Sequence, residues 1–299
     1  MMDFKSFPKL WALGQPWVKD IFENEVEITE KVDGSQFSFG KINGKLMCRS
    51  KGKIMELDAP EKMFAKGVEY IKSIKDKLPD NIQFYGEYLQ KPKHNTLCYD
   101  RTPKNFISLF GMIKEDCFVS DYDELVLWAN ILDLEVVPLI YRGKATPDVI
   151  NDLLTRQSFL GVVEIEGVVV KNYEKDYMIG GQYFPIMCGK YVSEKFKEVH
   201  NKNWKKENTG KGKWETFCEQ YKTPARWDKA VQHLKENGTL EQSPKDIGNL
   251  IKEIQRDIEE EEKENIKEAL WNIYGKDLNR VATNGFPEWY KQQLMKGEI

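Results

Sequence analysis

From Val26 onward, hydrophobic and polar positions alternate with a period of two: Val26 and Ile28 lead into Lys31, and Phe37 and Phe39 resume the alternation beyond Gly34. Such alternation marks half-buried strands, so two strands meet at a glycine-containing turn and Lys31 sits on a rigid element. Short apolar or alternating runs at 37–42, 46–49, 82–89, 106–113 and 161–171 predict more strands, with helical spacing between them at 61–78 and 120–132. After Trp214 the period becomes that of helices: 225–237 closed by Gly238, 244–273 closed near Gly275, and 287–295. Ser243, Pro244 and Asp246 supply an N-cap, a first-turn proline and a first-turn acid. The pattern predicts an α+β domain of antiparallel sheets followed by an all-α region, with the boundary between Lys197 and Lys213.

Composition narrows this picture. With 299 residues, 40% hydrophobic and 12% aromatic, the chain has ample material for a packed core. No apolar run approaches the roughly 18 residues that span a bilayer, and residues 1–10 lack the basic-then-apolar pattern of a signal peptide. The expectation is a cytoplasmic protein (host cytoplasm if viral) without a membrane partner, and a monomer is assumed. Five scattered cysteines without C-x-x-C spacing argue against a disulfide framework and against structural zinc. A formal net charge of −3 gives no global attraction to nucleic acid, so a polyanion would need a local basic surface. One candidate is the segment carrying Lys195, Lys197, Lys202, Trp204, Lys205, Lys206, Lys211, Lys213 and Trp214; read alone, it is a solvated linker. The acidic run 257–262 reads as the solvated face of a helix.

The candidate chemistry begins at Thr29-Glu30-Lys31-Val32-Asp33-Gly34-Ser35. Taken alone, K-x-D-G is a surface hairpin as readily as a site, but four segments follow in order: Arg49 at a strand end; Glu87 within Phe84-Tyr85-Gly86-Glu87-Tyr88-Leu89; Glu166 and Lys171 bracketing three valines; and Lys190 in Gly189-Lys190-Tyr191. A lone carboxylate in an apolar strand costs free energy unless something polar meets it there. An amine, strand-borne acids and several cations suit attack on a nucleotide phosphate in the presence of a divalent metal. An exposed lysine, with a pKa near about 10.4, is charged at neutral pH, and neighbouring positive charge lowers that value. Lys190 or Arg49 together with a metal would supply it, while the carboxylates hold the metal or the sugar hydroxyls.

In order and rough spacing, Lys31-x-Asp33-Gly34, the Glu87 strand, the Glu166-Gly167 strand with Lys171, and Lys190 resemble motifs I, III, IV and V of the covalent nucleotidyltransferases, the superfamily of ATP-dependent ligases and capping enzymes. Glu30-Lys31-x-x-Gly34-Ser35-x-Phe37-Ser38, the tail Lys190-Tyr191 to Phe196-Lys197-Glu198, and Pro103 to Phe110 as motif IIIa look most like RNA ligases of the RNA ligase 2 type. The resemblance covers about residues 26–198. It implies an antiparallel-sheet nucleotidyltransferase domain, ATP-grasp-like and akin to those of DNA ligases and capping enzymes, at 1–205, followed by a helical C-terminal domain at 206–299.

By position, the resemblance implies that Lys31 forms a lysyl-AMP, Glu87 holds the ribose, Phe110 stacks on adenine and Glu166 helps bind Mg2+ or Mn2+. It further implies that Lys190 contacts phosphate, Arg49 assists in nucleotide binding, Glu30 lends adenine contacts through its backbone, and Lys171 supports the site. Asp33 stands where some RNA ligase 2 members carry histidine, and Cys188 stands where a second motif V lysine is common. DNA ligases and capping enzymes carry an OB-fold after motif V; here the last third reads as helices. The expected function is therefore an ATP-dependent RNA ligase joining 5′-phosphate to 3′-hydroxyl RNA ends in RNA repair, with a DNA ligase or other polynucleotide adenylyltransferase as the runner-up and a non-catalytic RNA-binding protein as a third reading. On this reading the lysine and tryptophan segment, Lys195 to Lys206 above all, contacts RNA. The helical tail is expected to matter more for end joining than for self-adenylylation. His94 is read as a solvated loop residue with no general-base role.

Overall fold

The computed structural model describes residues 4–179, 181–192 and 213–296. Two mixed-length sheets carry the first part of the chain. The first runs in the order β1 (Trp11–Ala12), β13 (Met187–Val192), β10 (Gly167–Asn172), β2 (Val26–Lys31) and β9 (Leu139–Gly143). The second runs β4 (Lys45–Ser50), β3 (Ser35–Ile42), β5 (Ile82–Tyr88), β6 (Ile107–Lys114) and β7 (Cys117–Phe118), with β8 (Glu135–Val136) also on β6. Pairing is antiparallel except for β1 with β13 and β8 with β6. A short hairpin, β11 (Tyr177–Ile179) with β12 (Gln182–Phe184), stands apart from both sheets.

The alternation around Gly34 predicts two strands meeting at a turn, and both exist; yet β2 and β3 belong to different sheets and do not pair. Residues 32–34 are the crossing between sheets. Lys31 is thus the last residue of β2 before the chain leaves its sheet, delivered to the space facing the other.

Each sheet buries its outer face in an apolar core. Val26, Ile28, Val168 and Val170 pack with Ile150 and Leu153 of α3 (Pro147–Leu153). Phe37, Phe39, Phe84 and Tyr88 pack under α1 (Ala65–Ser73) and α2 (Tyr122–Ile131) with Phe64, Val68, Ile71, Leu125 and Ala129. Because side chains alternate along a strand, the inward positions carry the complementary set: Thr29 and Lys31 on β2, Val169 and Lys171 on β10, Cys188 and Lys190 on β13, and Gln36, Ser38, Arg49, Tyr85 and Glu87 on the second sheet. A small core of Phe7, Tyr85, Ile113, Ile186 and Cys188 joins the two inner faces.

From residue 213 the described chain is helical and contains no strand: α4 (Lys213–Glu219), α5 (Pro224–Glu236), α6 (Ile247–Ala282) and α7 (Phe286–Lys296). The predicted cap forms: Ser243 Oγ accepts from the Lys245 amide and the Asp246 carboxylate accepts from the Ser243 amide at 3.0 Å, a reciprocal box ahead of α6. Gly238, at φ +65°, ends α5 as expected. Gly275 does not end α6, which runs seven residues further to Ala282; with a helical φ, a glycine costs only about 1 kcal/mol against alanine and need not stop a helix. Backbone contacts divide the chain into compact units Met1–Ile254 and Gln255–Ile299, so α4, α5 and the first turns of α6 belong with the sheets. The expected boundary at 205/206 lies outside the described residues.

Candidate active site

Register places the central pair. Lys31 is the partner of Gly167 across the β2–β10 ladder, so the residue just before β10, Glu166, arrives beside the lysine. Lys31 Nζ donates to Glu166 Oε2 at 2.6 Å, and the acid is almost fully buried. Burial alone would lower the Lys31 ammonium, but the charge and hydrogen bond of Glu166, with Asp33 and Glu87 behind, raise it above its ordinary value. As it stands, the pair holds a protonated amine.

Glu87 reaches the same space from β5 of the facing sheet. Burial pushes its carboxyl up to about 8; Lys31 opposes this, while Glu236, Glu166 and Asp33 add to it. Lys190 is opposite Val169, which is opposite Thr29, so it lies on the inner face two residues along from Lys31 in register; burial raises the Glu166 carboxyl above its ordinary value, against the opposing charges of Lys31 and, less, of Lys190. Lys171, buried on β10, donates to the carbonyl of Phe110 on β6, with its ammonium 5.7 Å from that ring's centre. Burial lowers the Lys171 ammonium. Phe110 itself is half-buried, edge-on to Phe7 at 5.0 Å and stacked with Tyr85 at 6.4 Å. Arg49 is on the inner face of β4, donating from Nη1 to the Phe4 carbonyl at 3.1 Å, so the N-terminal segment lies against it.

Glu30 points the other way. Its carboxylate accepts from Ser158 Oγ at 2.5 Å and from the Phe159 amide at 3.2 Å, on the outer side of β2. Toward the inner side only its backbone is offered.

The crossing between the sheets is held from two directions. The Asp33 carboxylate accepts from the amides of Thr96 and Leu97 at 2.8 and 2.7 Å, and the Asp33 amide donates to Tyr99 Oη at 2.8 Å. Asn95 Nδ2 donates to the Gly34 carbonyl at 2.7 Å. Gly34 must be glycine: a Cβ would stand 2.7 Å from Glu87 Cγ and 2.9 Å from the Tyr88 carbonyl oxygen. His94 is half-buried and not a free loop residue; burial pushes its ring down to about 4, and it contacts Ser35 Oγ at 3.0 Å. From the helical region, Gln232 Nε2 reaches the Gly34 carbonyl at 3.3 Å and Ser35 Oγ donates to Glu236 Oε1 at 2.6 Å.

The predicted set Lys31, Asp33, Arg49, Glu87, Glu166, Lys171 and Lys190 therefore converges on the space between the sheets. Lys195, Lys197, Lys202, Trp204, Lys205 and Lys206 lie outside the described residues. Sequence reading missed Asn95, Tyr99, Gln232 and Glu236, and misread His94. A single asparagine and a single tyrosine in 95–99 were the available signal for the loop; for Gln232 and Glu236 there was none.

The donor set suits a divalent cation shared with a ligand. Among the described residues no group of three or more His, Cys, Asp or Glu side chains is arranged to hold a metal by itself. One buried carboxylate beside lysine and arginine side chains suits a divalent cation that completes its shell with ligand oxygens and water.

Comparison with known proteins gives two findings. The sequence profile of the RNA ligase family matches residues 24–186. Among solved structures, Naegleria gruberi RNA ligase with PPi is similar at 16% identity and a TM-score of 0.47, over 67% of this chain and 59% of that one. A mutant apo form of that protein gives 16% and 0.49 over the same shares, and a mutant with AMP and Mn gives 16% and 0.46 over 67% and 60%. The chain thus spans about six tenths of the length of the structures it matches. No curated protein matches it at a significant level.

Proposed function

The chain belongs to the RNA ligase family, and from that premise we propose that it joins a 5′-phosphate RNA end to a 3′-hydroxyl RNA end with ATP, through a lysyl-AMP on Lys31. The observation that carries this reading is the Lys31–Glu166 pair, 2.6 Å apart at the mouth of two facing sheets whose inner faces bear Lys190, Lys171, Arg49 and Glu87.

In the first step the Lys31 amine attacks the α-phosphorus of ATP; an N–P bond forms, the bond to the bridging oxygen breaks, and pyrophosphate leaves. The ammonium must first give up its proton, which the Glu166 carboxylate is placed to accept. Lys190 and Arg49 meet the negative charge of the phosphates, and Lys171 holds the Phe110 backbone where the base would lie. Glu166 would hold a divalent cation, which would supply positive charge that favours the free amine and stabilises the transferring phosphoryl group. Next the RNA 5′-phosphate oxygen attacks the lysyl-AMP phosphorus, breaking the N–P bond and returning Lys31 its proton. Finally the 3′-hydroxyl attacks the activated 5′-phosphorus, and AMP leaves. Repair of broken RNA is the setting this chemistry suits.

Incubation with α-labelled ATP and Mg2+ or Mn2+ tests it. The expected result is acid-labile, alkali-stable label on the protein, lost in Lys31→Ala. Label that persists in Lys31→Ala would remove the covalent mechanism assigned to this residue.

A further inference from the structure

Helix α5 encloses a carboxylate alongside its apolar contacts: Ala230 and Leu234 are buried, and so is Glu236. The apolar Trp227 and Val231 remain 44% and 39% exposed, while Glu236 is 4% exposed, and Gln232, one turn before it, is half-buried. An enclosed carboxylate costs free energy unless its partners are in place. Here they are. Glu236 Oε1 accepts from Ser35 Oγ at 2.6 Å and from Gln232 Nε2 at 2.7 Å.

The direction of the chain of hydrogen bonds is set by its far end. The Gln90 amide donates to His94 Nδ1 at 3.1 Å, and burial keeps the ring neutral, so its single proton is on Nε2. Nε2 then donates to Ser35 Oγ, and the Ser35 hydroxyl has its own proton left for Glu236. Gln232 adds a bond to the Gly34 carbonyl, which Asn95 also meets. Just past the helix, Asn237 and Gly238 abut Gly52, Lys53 and Glu61 in the loop that follows Arg49. Thus α5 spans from the Gly34–Ser35 crossing to the exit of β4. Departures from local hydrophobic logic of this kind concentrate at functional sites.

We propose that Glu236 is a positioning residue for the reaction of Lys31: carried in by α5, it fixes Ser35 and with it the Lys31–Ser35 crossing, so that the C-terminal helical region completes the site of self-adenylylation. The proposal rests on the RNA ligase reading. It assigns the tail a part in the first step, where the sequence alone gave it a part mainly in end joining.

The test measures single-turnover formation of labelled lysyl-AMP by the full chain across ATP concentrations, for Glu236→Ala, Glu236→Gln, Ser35→Ala, the Ser35→Ala/Glu236→Ala double variant, and Trp227→Ala on the exposed side of the same helix. Glu236→Ala should react at least about tenfold more slowly at saturating ATP, with the half-saturating ATP concentration changed less than about threefold, at a temperature where thermal melts show it folded. Glu236→Gln, whose amide oxygen still accepts from Ser35, should recover to within about threefold of the parent, and Trp227→Ala should match it. The double variant should be no slower than the slower single one, because both remove the same link. Should Glu236→Ala lose cooperative unfolding, Ser35→Ala and Glu236→Gln carry the same comparison. A labelled parent with an equally fast Glu236→Ala overturns the proposal alone, as do single effects that multiply in the double variant. A parent that takes no label removes the ligase reading and this proposal with it.

Discussion

Lys31 and Gly167 are register partners in the β2–β10 ladder, and that pairing sets Glu166 2.6 Å from the lysine it would serve. The lysine is held charged by the acid against the effect of burial. In Glu166→Gln the charge that raises the ammonium is gone and burial acts with less opposition, so the Lys31 pKa should fall. Each unit of fall makes roughly tenfold more free amine at a fixed alkaline pH. Mass-spectrometric rates of reductive methylation at Lys31, without nucleotide or metal, should therefore be higher in Glu166→Gln than in the parent. Equal rates would show that the pairing does not control the amine. The same variant should form lysyl-AMP more slowly, since it lacks the carboxylate that accepts the proton.

Glu87 gives a pH signature in stability. Its carboxyl is raised from 4.5 to about 8 by burial first of all. Between those values the folded chain binds a proton that the unfolded chain has released, so stability falls as pH rises through this window, by up to about 1.4 kcal/mol per pH unit. Glu87→Gln cannot ionise and should lack this part of the slope. Urea unfolding of both proteins at pH 5 and pH 8 checks it; parallel losses in the two would mean that Glu87 titrates near its ordinary value.

Gly34→Ala is expected to damage the site more than the fold. The new methyl would meet Glu87 Cγ at 2.7 Å, Leu89 Cδ1 at 2.8 Å and the Tyr88 carbonyl at 2.9 Å, and the last of these is backbone that cannot swing aside. Overpacking of this sort costs about 1–3 kcal/mol. The crossing must shift to relieve it, and Lys31 with it. Lysyl-AMP formation should fall by at least about tenfold in protein whose thermal melt remains cooperative, and an unchanged rate would show that the crossing tolerates displacement.

Substrate choice is tested at the last step. The motif details around Lys31 and Lys190 resemble the RNA branch of the superfamily, so sealing should be much faster at an RNA 3′-hydroxyl end than at a DNA one. A panel of nicked, single-stranded and loop-broken RNA and DNA, scored for joined product, measures this. Equal sealing of an all-DNA nick would favour the DNA ligase reading.

Much of the site was legible because its residues announce themselves by local chemistry. An acid or a lysine inside an apolar strand, as at Glu87 and Lys171, or at its start, as at Glu166, is conspicuous at any register, and the alternation within the strand fixes which face it takes. The helical tail and the Ser243 cap were legible for the same reason, since caps and periodicity are properties of a few adjacent residues. The lysine turn was half legible: the strands were right, but whether β2 and β3 pair with each other or with distant strands depends on partners some 50 to 140 positions away, which no local pattern records.

The sequence by itself determined strands β2 to β6, most of the helices, the identity of the candidate nucleophile, and the acids and cations ordered along the chain behind it, because each of these follows from neighbouring side chains and backbone preference; β9, β13 and α3 were not foreseen. Only the tertiary structure decided that Lys31 bridges two sheets, that Glu30 faces away from it, and that Glu236 closes on Ser35 across 201 positions. In α5 the hydrophobic pattern accounts for the burial of Ala230 and Leu234 but not for that of Glu236. The physical reason is that burial is a property of the assembled surface. A carboxylate goes inside where a hydroxyl meets it, and the Ser35 hydroxyl takes its place only once the sheets have formed.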